Sequence, residues 1–416
     1  NIFNIGKNSA IAVCLIRSNH EFQSVLWIRI AHEFDRSADN DLATNIRRQI
    51  LESELNVKLS SIGNYTFDAK LASTNIENMI GSVQIPVGIA GPITVLGSAT
   101  EGSFYLPLAT TEGALVASVN RGCSAIRNAG GVIARVFNNA MTRAPVFKVA
   151  NVSESLDFVN WVSTNYSEIE EIANSTTNHG ELVGIKPYIV GNSIFLRFSY
   201  DTKDAMGMNM VTISTKKVSE FLETQTTAKL ISLSGNLCSD KKPAAINAIE
   251  GRGRTVSADV LIPRKIVEDK LHTTPETIVE INTQKNHIGS ARAVSLGHNA
   301  QAANVIAAIF LATGQDAAQV VEGANVITTA DIRDGGLYLS VTLLSLEIGT
   351  IGGGTHLPSQ SEALDIMGVR GGGTPPGSNA DAFAEIISAG VLAGELSLLS
   401  ALGSRDLSSA HERLGR

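Results

Sequence analysis

The densest polar cluster in the chain is Ser234-Gly-Asn-Leu-Cys-Ser-Asp-Lys-Lys-Pro243. Pro243 suits the first position of a helix, Ala244–Glu250 its body and Gly251 its stop. Lys241 and Lys242 then stand at a helix N-terminus, where the dipole favours anions and repels cations. Stability alone would not place lysines there, and Asp240 beside them offsets only part of the cost. The pattern suits an anion or oxyanion site, with a solvated surface run as the plain alternative. Asp204-Ala-Met-Gly-Met-Asn-Met210 sits where a loop enters a helix. Free N–H groups there could hold a phosphate, and Gly207 permits close approach; an Asp cap with core methionines explains the same residues. Glu347–Thr355 contains three consecutive glycines, which suits backbone close to a ligand or to a neighbouring element. Glu112 falls in the first turn of a predicted helix, where dipole complementarity is the simplest reading. His411 lies alone in a polar tail. No G-x-G-x-x-G follows a strand and no Walker A motif occurs, so a dinucleotide is not held in the Rossmann manner.

The element that must position these groups is Gly297–Gln319. Ala302–Ala312 is apolar on every side except at Asn304, so a helix here has no solvent face and belongs in the centre of a large protein. Asn304 and Asp316 are twelve residues apart, about 18 Å along a straight helix. A break at Thr313-Gly314 is therefore predicted, aiming Asp316 at Glu112 and Lys241. Before it, Asp41–Leu55 reads as an amphipathic helix with Leu42, Ile46, Ile50 and Leu55 on one face and Asp39 or Asn40 as cap. Glu77–Pro92 reads as a strand closed by Gly/Pro turns, and Thr110–Ile126 as a helix. From Val146 to Ser234 the order is strand, helix (Ser153–Ala173), strand (Leu182–Val190), strand (Ile194–Tyr200), helix (Gly207–Glu223), strand (Thr227–Leu233). This split βαβ arrangement reads as a compact inserted unit. Asp381–Leu402 is a long, very apolar helix ended by Gly403.

With 416 residues, 44% hydrophobic and 18% charged, the chain has material for two or more domains and a sizeable core. A formal charge of −7 and no run of Lys and Arg argue against nucleic acid. Cys14, Cys123 and Cys238 are too far apart for a disulfide framework or a zinc site, which fits a reducing compartment and predicts no metal. No segment is expected to reach transmembrane length, and a soluble cytoplasmic protein follows; a start at Asn1 leaves room for an upstream anchor.

Taken together, Glu77–Pro92, Thr110–Ile126, Met141–Pro145, Asp204–Met210, Ser234–Gly253, Gly297–Gln319 and Glu347–Thr355 make the chain resemble the 3-hydroxy-3-methylglutaryl-coenzyme A (HMG-CoA) reductases from about residue 40 onward. Asp-Lys-Lys-Pro-Ala-Ala-Ile-Asn and Gly-Gln-Asp-Ala-Ala-Gln resemble the biosynthetic class I. The resemblance implies an α+β fold: a large domain around the central buried helix, with a small inserted ferredoxin-like nucleotide-binding domain. It divides the chain into an unassigned segment 1–38, a helical region 39–62, a large substrate and CoA domain 63–143 plus 235–402, an insert 144–234 and a tail 403–416 that closes as a lid. The implied reaction reduces HMG-CoA to mevalonate and CoA with two NADPH, in a site between subunits of a homodimer or dimer of dimers.

Carried over by residue, the resemblance makes Lys241 the donor to the thioester oxygen and Glu112 the proton donor of the second reduction. Glu112 must then stay protonated near neutral pH through burial or a second carboxylate, with Asp316 the candidate neighbour. His411 would protonate the departing CoA thiolate. Ser234, Asn236, Asp240, Lys242, Lys285 and Asn304 match the hydroxymethylglutaryl side, with Lys285 pairing its free carboxylate; Ser118, Asn120 and Arg121 match the CoA side. Arg143 serves substrate and nucleotide, and Thr177, Asn178, Asp204, Met206, Gly207, Met208, Asn209, Gly352, Gly353, Gly354 and Thr355 match the nucleotide side. Asn178 stands where NADPH-using relatives have Arg for the 2′-phosphate, which opens the site to NADH unless Lys148 or Arg197 compensates. Two other readings compete: a CoA-thioester acyltransferase with Cys123 as nucleophile, and a non-catalytic CoA-binding dimer.

Overall fold

The computed structural model describes residues 40–177 and 179–404. Cys14, Asn178 and His411 lie outside the described residues. Among those described, residues up to Gln84 form one compact unit and those from Ile85 another.

In the first unit, α1 (Asp41–Leu55) starts at Asn40, whose side chain accepts from the Ala43 N–H. Its buried face is Ala43, Thr44 and Arg47, whereas Leu42 and Leu55 of the expected apolar stripe are exposed. Arg47 wins the interior position because its guanidinium donates to the Met79 carbonyl at 3.0 Å.

In the second unit the order is β1 (Val87–Leu96), β2 (Glu101–Ala109), α2 (Leu115–Asn128), β3 (Val132–Arg143), β4 (Val146–Lys148), α3 (Val152–Thr164), α4 (Tyr166–Asn174), β5 (Glu181–Val190), β6 (Ser193–Asp201), α5 (Met208–Gln225) and β7 (Lys229–Ser232). There follow α6 (Ala245–Glu250), β8 (Gly253–Ile262), α7 (Arg264–Leu271), α8 (Pro275–Ile281), α9 (Ser290–Ala293), α10 (Ala302–Thr313), α11 (Val320–Gly323), β9 (Val326–Arg333), β10 (Gly336–Leu346), α12 (Pro358–Ile366) and α13 (Ser378–Ser404). The Glu77–Pro92 strand begins only at Val87; it runs past Pro92 with a register shift between Ala90 and Ile93. The Ser153–Ala173 helix is two, because the Asn165 side chain takes the Trp161 carbonyl and ends the first.

Strand β3 is shared by two groups of strands. Ile133–Ala140 pairs antiparallel with β8, which continues to β10 and β9; Met141–Arg143 pairs with β6. Around β6 the order is β7-β4-β6-β5, all antiparallel. Each group has its own core. The first is aliphatic, with Leu106, Val119, Val256, Val341, Ile309 and Leu392 fully buried. The second is aromatic, with Phe147, Phe158, Phe198 and Tyr200.

Helix α13 fills the first core. It is long and apolar enough to cross a membrane by length and composition, contrary to the sequence-based expectation, yet 83% of its most apolar window is buried inside the protein. Glycine lets α2 close on it: a Cβ at Gly122 would collide with the Ala393 carbonyl. Two carboxylates on α13 satisfy backbone groups of its neighbours. Glu385 accepts from the N–H groups of Ser98, Ala99 and Thr100. Glu395 accepts from Ala300, Gln301 and the Thr328 hydroxyl at the entrance to α10. Helix α10 is mostly buried but not on every side, since Ala303 and Leu311 are exposed.

Candidate active site

Helix α10 ends where glycine permits it. Gly314 adopts φ +71° as its C-cap, and a Cβ there would strike the Gly354 carbonyl. Gln315 then holds the exit by accepting from the Gly349 N–H (2.9 Å) and donating to the Gly349 carbonyl (3.0 Å). The turn delivers Asp316, whose Oδ1 accepts from the Ala318 N–H while Oδ2 pairs with Lys241 Nζ at 2.8 Å. That hydrogen bond holds the Lys241 ammonium above the ordinary lysine range, so the lysine is fully protonated at neutral pH.

Lys241 sits in a contorted loop. Asn236, Ser239 and Lys241 all take left-handed backbone conformations (φ +62°, +54° and +58°), which side chains with a Cβ disfavour. The loop is fastened from beneath: Cys238 is fully buried, its Sγ 3.2 Å from Ser234 Oγ, and its carbonyl accepts from Thr142. Lys242 turns back to its own loop, donating to the Asp240 carbonyl at 3.0 Å. Helix α6 begins later than expected, with Ala244 as cap, so Lys241, Lys242 and Pro243 belong to the loop and not to the helix end.

Under this loop lies a group of charges that sequence reading missed. Arg252 is completely buried and reaches Glu347 (2.7 Å), Glu322 (3.3 Å), Asp240 (3.2 Å) and Gln319 (3.2 Å). Burial drives the Glu347 carboxyl well above its ordinary range against the pull of Arg252, and raises Glu322 in the same way. Burial also opposes ionisation of Asp240, but Arg252, Gln319, Lys241 and Arg143 outweigh it and hold that carboxyl below its ordinary range. The buried Arg252 guanidinium thus faces one carboxyl shifted toward ionisation, Asp240, and two shifted toward protonation, Glu347 and Glu322. The signal available in sequence was Gly251-Arg252-Gly253-Arg254 and Glu347-Ile-Gly: charged residues in otherwise apolar, Gly-rich strands.

The other candidate acid meets the opposite end of α10. Glu112 lies in the turn before α2, not in its first helical turn, because Ala114 takes φ +72° and the helix starts at Leu115. Its side chain is exposed and accepts from Asn304 Nδ2 at 3.2 Å, at the opening turn of α10. From Asn304 to Thr313 the helix rises about 14 Å. Among the described residues no hydrogen bond or ion pair joins Glu112 to Asp316 or Lys241, so the expected carboxylate pair and the burial of Glu112 are not formed within one chain. Lys285 is exposed on the π-helical segment Asn282–Gly289.

Several expected ligands serve the scaffold. Ser118 and Arg121 both bond Ser397 on α13, and Asn120 accepts from the Gly91 N–H. Asp204 is buried; its carboxylate accepts from the N–H groups of Gly373, Gly377 and Ala380. Its carbonyl accepts from the Thr350 N–H, which ties the start of α5 to the Gly349–Thr355 loop. Met206 and Met208 pack against the aromatic core, and Arg252 donates to the Met208 sulfur. Gly352 and Gly353 are exposed with positive φ, Thr355 Oγ1 closes that turn on the Gly352 carbonyl, and Asn209 is exposed. Arg143 approaches Asp240 at 3.8 Å. Thr177 accepts from the His179 N–H. Of the two cations proposed to compensate for Asn178, Arg197 is buried and committed to the Leu237 and Gly251 carbonyls, whereas Lys148 is exposed on β4. A third, unforeseen in sequence, is Lys217, which donates to Ser175 at 3.0 Å.

Cys123 is fully buried and its thiol is pushed up to about 12 by that burial, so it is no nucleophile. Among the described residues no group of three or more His, Cys, Asp or Glu could hold a metal ion.

Comparison with known proteins agrees with this arrangement. The family model described as hydroxymethylglutaryl-coenzyme A reductase matches residues 43–416. The 3-hydroxy-3-methylglutaryl-coenzyme A reductase of Haloferax volcanii is 63% identical over 92% of this chain and 96% of its own, and that of Halobacterium salinarum is 60% identical over 92% and 95%. Among solved structures, the class II 3-hydroxy-3-methylglutaryl-CoA reductase of Streptococcus pneumoniae bound to NADPH has the same fold (TM-score 0.62, 20% identity, 93% of this chain and 97% of that one). The chain belongs to the HMG-CoA reductase family and is an oxidoreductase that reduces HMG-CoA on the route to mevalonate.

Proposed function

We propose that the reduction is carried by Lys241 and Asp316 from one chain acting with Glu112 and Asn304 from a second copy. The observation that carries this is the separation of the two pairs: Lys241 with Asp316 past the C-terminal end of α10, Glu112 with Asn304 at its N-terminal end. An acid that must reach the same small carbon as Lys241 is better supplied by another protomer than across the length of the helix. The working unit is then a homodimer with an interfacial site. In this reading the Lys241 ammonium, held charged by Asp316, stabilises the oxyanion that forms on the thioester oxygen. Glu112 delivers a proton in the second reduction, and His411, outside the described residues, protonates the CoA thiolate. Ser234, Asn236, Asp240, Lys242 and Arg143 face the hydroxymethylglutaryl group, with Lys285 on its carboxylate.

For the cofactor we take NADPH, on the inserted unit 144–234 of ferredoxin-like order and on Gly352–Thr355. Its fit rests on α5, an 18-residue helix whose N-cap Gly207 offers no side-chain cap, so the first-turn N–H groups are available to a phosphate. NADPH supplies the hydride. Asn209 lies in the first turn of that helix, Arg143 is assigned to the nucleotide by the family resemblance, and Lys217 or Lys148 meets a 2′-phosphate where Asn178 cannot, which favours NADPH over NADH. The motifs Asp-Lys-Lys-Pro-Ala-Ala-Ile-Asn and Gly-Gln-Asp-Ala-Ala-Gln favour class I.

The test is complementation, read by HMG-CoA-dependent oxidation of NADPH. Lys241→Ala lowers kcat by about 10²–10³-fold, and Glu112→Gln is also inactive. Mixing the two variants under conditions of subunit exchange restores about a quarter of the wild-type rate, because half of the dimers carry one intact site of two. No recovery, with exchange verified by a tagged subunit, would reject the shared site.

A further inference from the structure

We propose that Glu322 is a positioning residue for Lys241: its carboxylate, held by Arg252, grips the Lys241 backbone N–H and fixes the left-handed turn that aims the ammonium at Asp316. The inference rests on the reading of Lys241 as the oxyanion-stabilising group and deepens it.

The geometry is a two-point grip from one short segment. Asp316 and Glu322 are six residues apart, on the turn leaving α10 and on the one-turn helix α11. Asp316 holds the Lys241 ammonium, and Glu322 Oε1 accepts from the Lys241 backbone N–H. Residue 241 needs such a hold. It is a lysine at φ +58°, its side chain is 46% exposed, and Lys242 and Pro243 after it are exposed as well, so packing does not fix the turn. Glu322 is well placed to do so because its own side chain is wholly buried and locked by Arg252 at 3.3 Å. Arg252 also reaches Asp240, the residue before Lys241, and Gln319 closes the ring by donating to Asp240 at 3.0 Å and accepting from Arg252. Buried as it is, Glu322 has no surface with which to touch substrate. Its effect on the reaction must pass through Lys241. The charged groups facing that lysine are Asp316, Asp240 and Glu322, and the hydrogen bond to Asp316 is what raises its affinity for a proton.

Glu322→Leu, close in volume but unable to accept, is expected to lower kcat about 30–100-fold, the scale of a one-ångström misplacement, with KM for HMG-CoA changed less than about threefold. Glu322→Gln, whose amide oxygen still accepts, is expected to recover kcat to within about fivefold of wild type. The alkaline limb of the kcat–pH profile moves to lower pH in Glu322→Leu as Lys241 loses its alignment with Asp316, and returns in Glu322→Gln. In a Lys241→Ala background Glu322→Leu costs nothing further, because the group it positions is gone. A folded Glu322→Leu enzyme with kcat within about threefold of wild type, or a Gln variant as impaired as the Leu one, overturns the proposal. If Glu322→Leu does not fold, Glu322→Asp decides: its shorter arm should cost about tenfold in kcat, and full activity overturns the grip. Lys241→Ala measured alongside separates the two readings. An active Lys241→Ala enzyme removes the role of Lys241 itself, whereas an inactive one with unaffected Glu322 variants removes only the positioning.

Discussion

The two ends of α10 solve one problem in opposite ways. At its N-terminal end the chain leaves backbone N–H groups without helical partners, and a buried carboxylate, Glu395 of α13, takes those of Ala300 and Gln301. Burial raises the Glu395 carboxyl, while the Gln301 and Ala300 N–H groups, the Thr328 hydroxyl and the charge of Lys285 oppose that rise, with no salt bridge to it among the described residues. At the C-terminal end an anion would be repelled. The exit is instead held by a glycine, by the neutral amide of Gln315 and by the Gly354 carbonyl packed against Gly314. Buried carboxylates beyond this end need a guanidinium, and Arg252 supplies it. The contrast separates two kinds of acid. Glu395, Glu385, Glu347 and Glu322 are buried and hold backbone or Arg252, while Glu112 and Asp316, the ones able to meet substrate, keep contact with solvent.

The comparison breaks most visibly if the cation is removed. Arg252→Leu strands buried carboxylates and should cost about 3–5 kcal/mol in urea unfolding. Glu395→Gln should cost only about 1–2 kcal/mol, since its amide oxygen still accepts the same N–H groups. Equal losses would mean that the two ends are held alike. Next in size is the glycine exit: Gly314→Ala combines φ +71° with a collision at Gly354 and should destabilise by about 1–3 kcal/mol. A silent Gly314→Ala would show that the break in α10 is not fixed by that residue.

The smallest effect is a slope. Glu347 has a folded-state pKa raised above its unfolded value of 4.5. Below that value both states hold the proton and its contribution is complete. As pH rises, the unfolded chain releases the proton first, so stability falls by at most about 1.4 kcal/mol per pH unit for this one group. Glu322 and Glu395 act with the same sign, and Asp240, depressed, with the opposite one. Melting temperatures should therefore decline more steeply above pH 4.5 in the wild type than in Glu347→Gln, and parallel curves would refute the upward shift of Glu347.

Much of the frame was legible because it is written in local terms. A glycine after an apolar run marked the end of α10, Asp39 or Asn40 marked the start of α1, and the turn residues Gly191-Asn192 marked the pair β5 and β6. The family motifs located Lys241 and Asp316, and the ion pair between them follows from the break. What stayed hidden depends on partners far along the chain. Arg252 meets Glu322 and Glu347, 70 and 95 residues away, so charges set in Gly-rich strands hint at a buried group without saying which of them pair. The structural part of Asp204 could not be read locally, because the backbone groups of Gly373, Gly377 and Ala380 that its carboxylate accepts from lie 169 to 176 residues on. The split between α3 and α4 at Asn165 has no Gly or Pro to mark it.

Helix α13 carries a consequence for how the protein is made. It is the last described element in the chain and it plugs the aliphatic core, so every face it will cover is synthesised before the plug exists. Until Ser378–Ser404 leaves the ribosome, β8, β10, α2 and α10 present an open apolar slot. A chain stopped just short of Ser378 would contain nearly all the site residues and still fail to close, making it a substrate for holding chaperones and for aggregation.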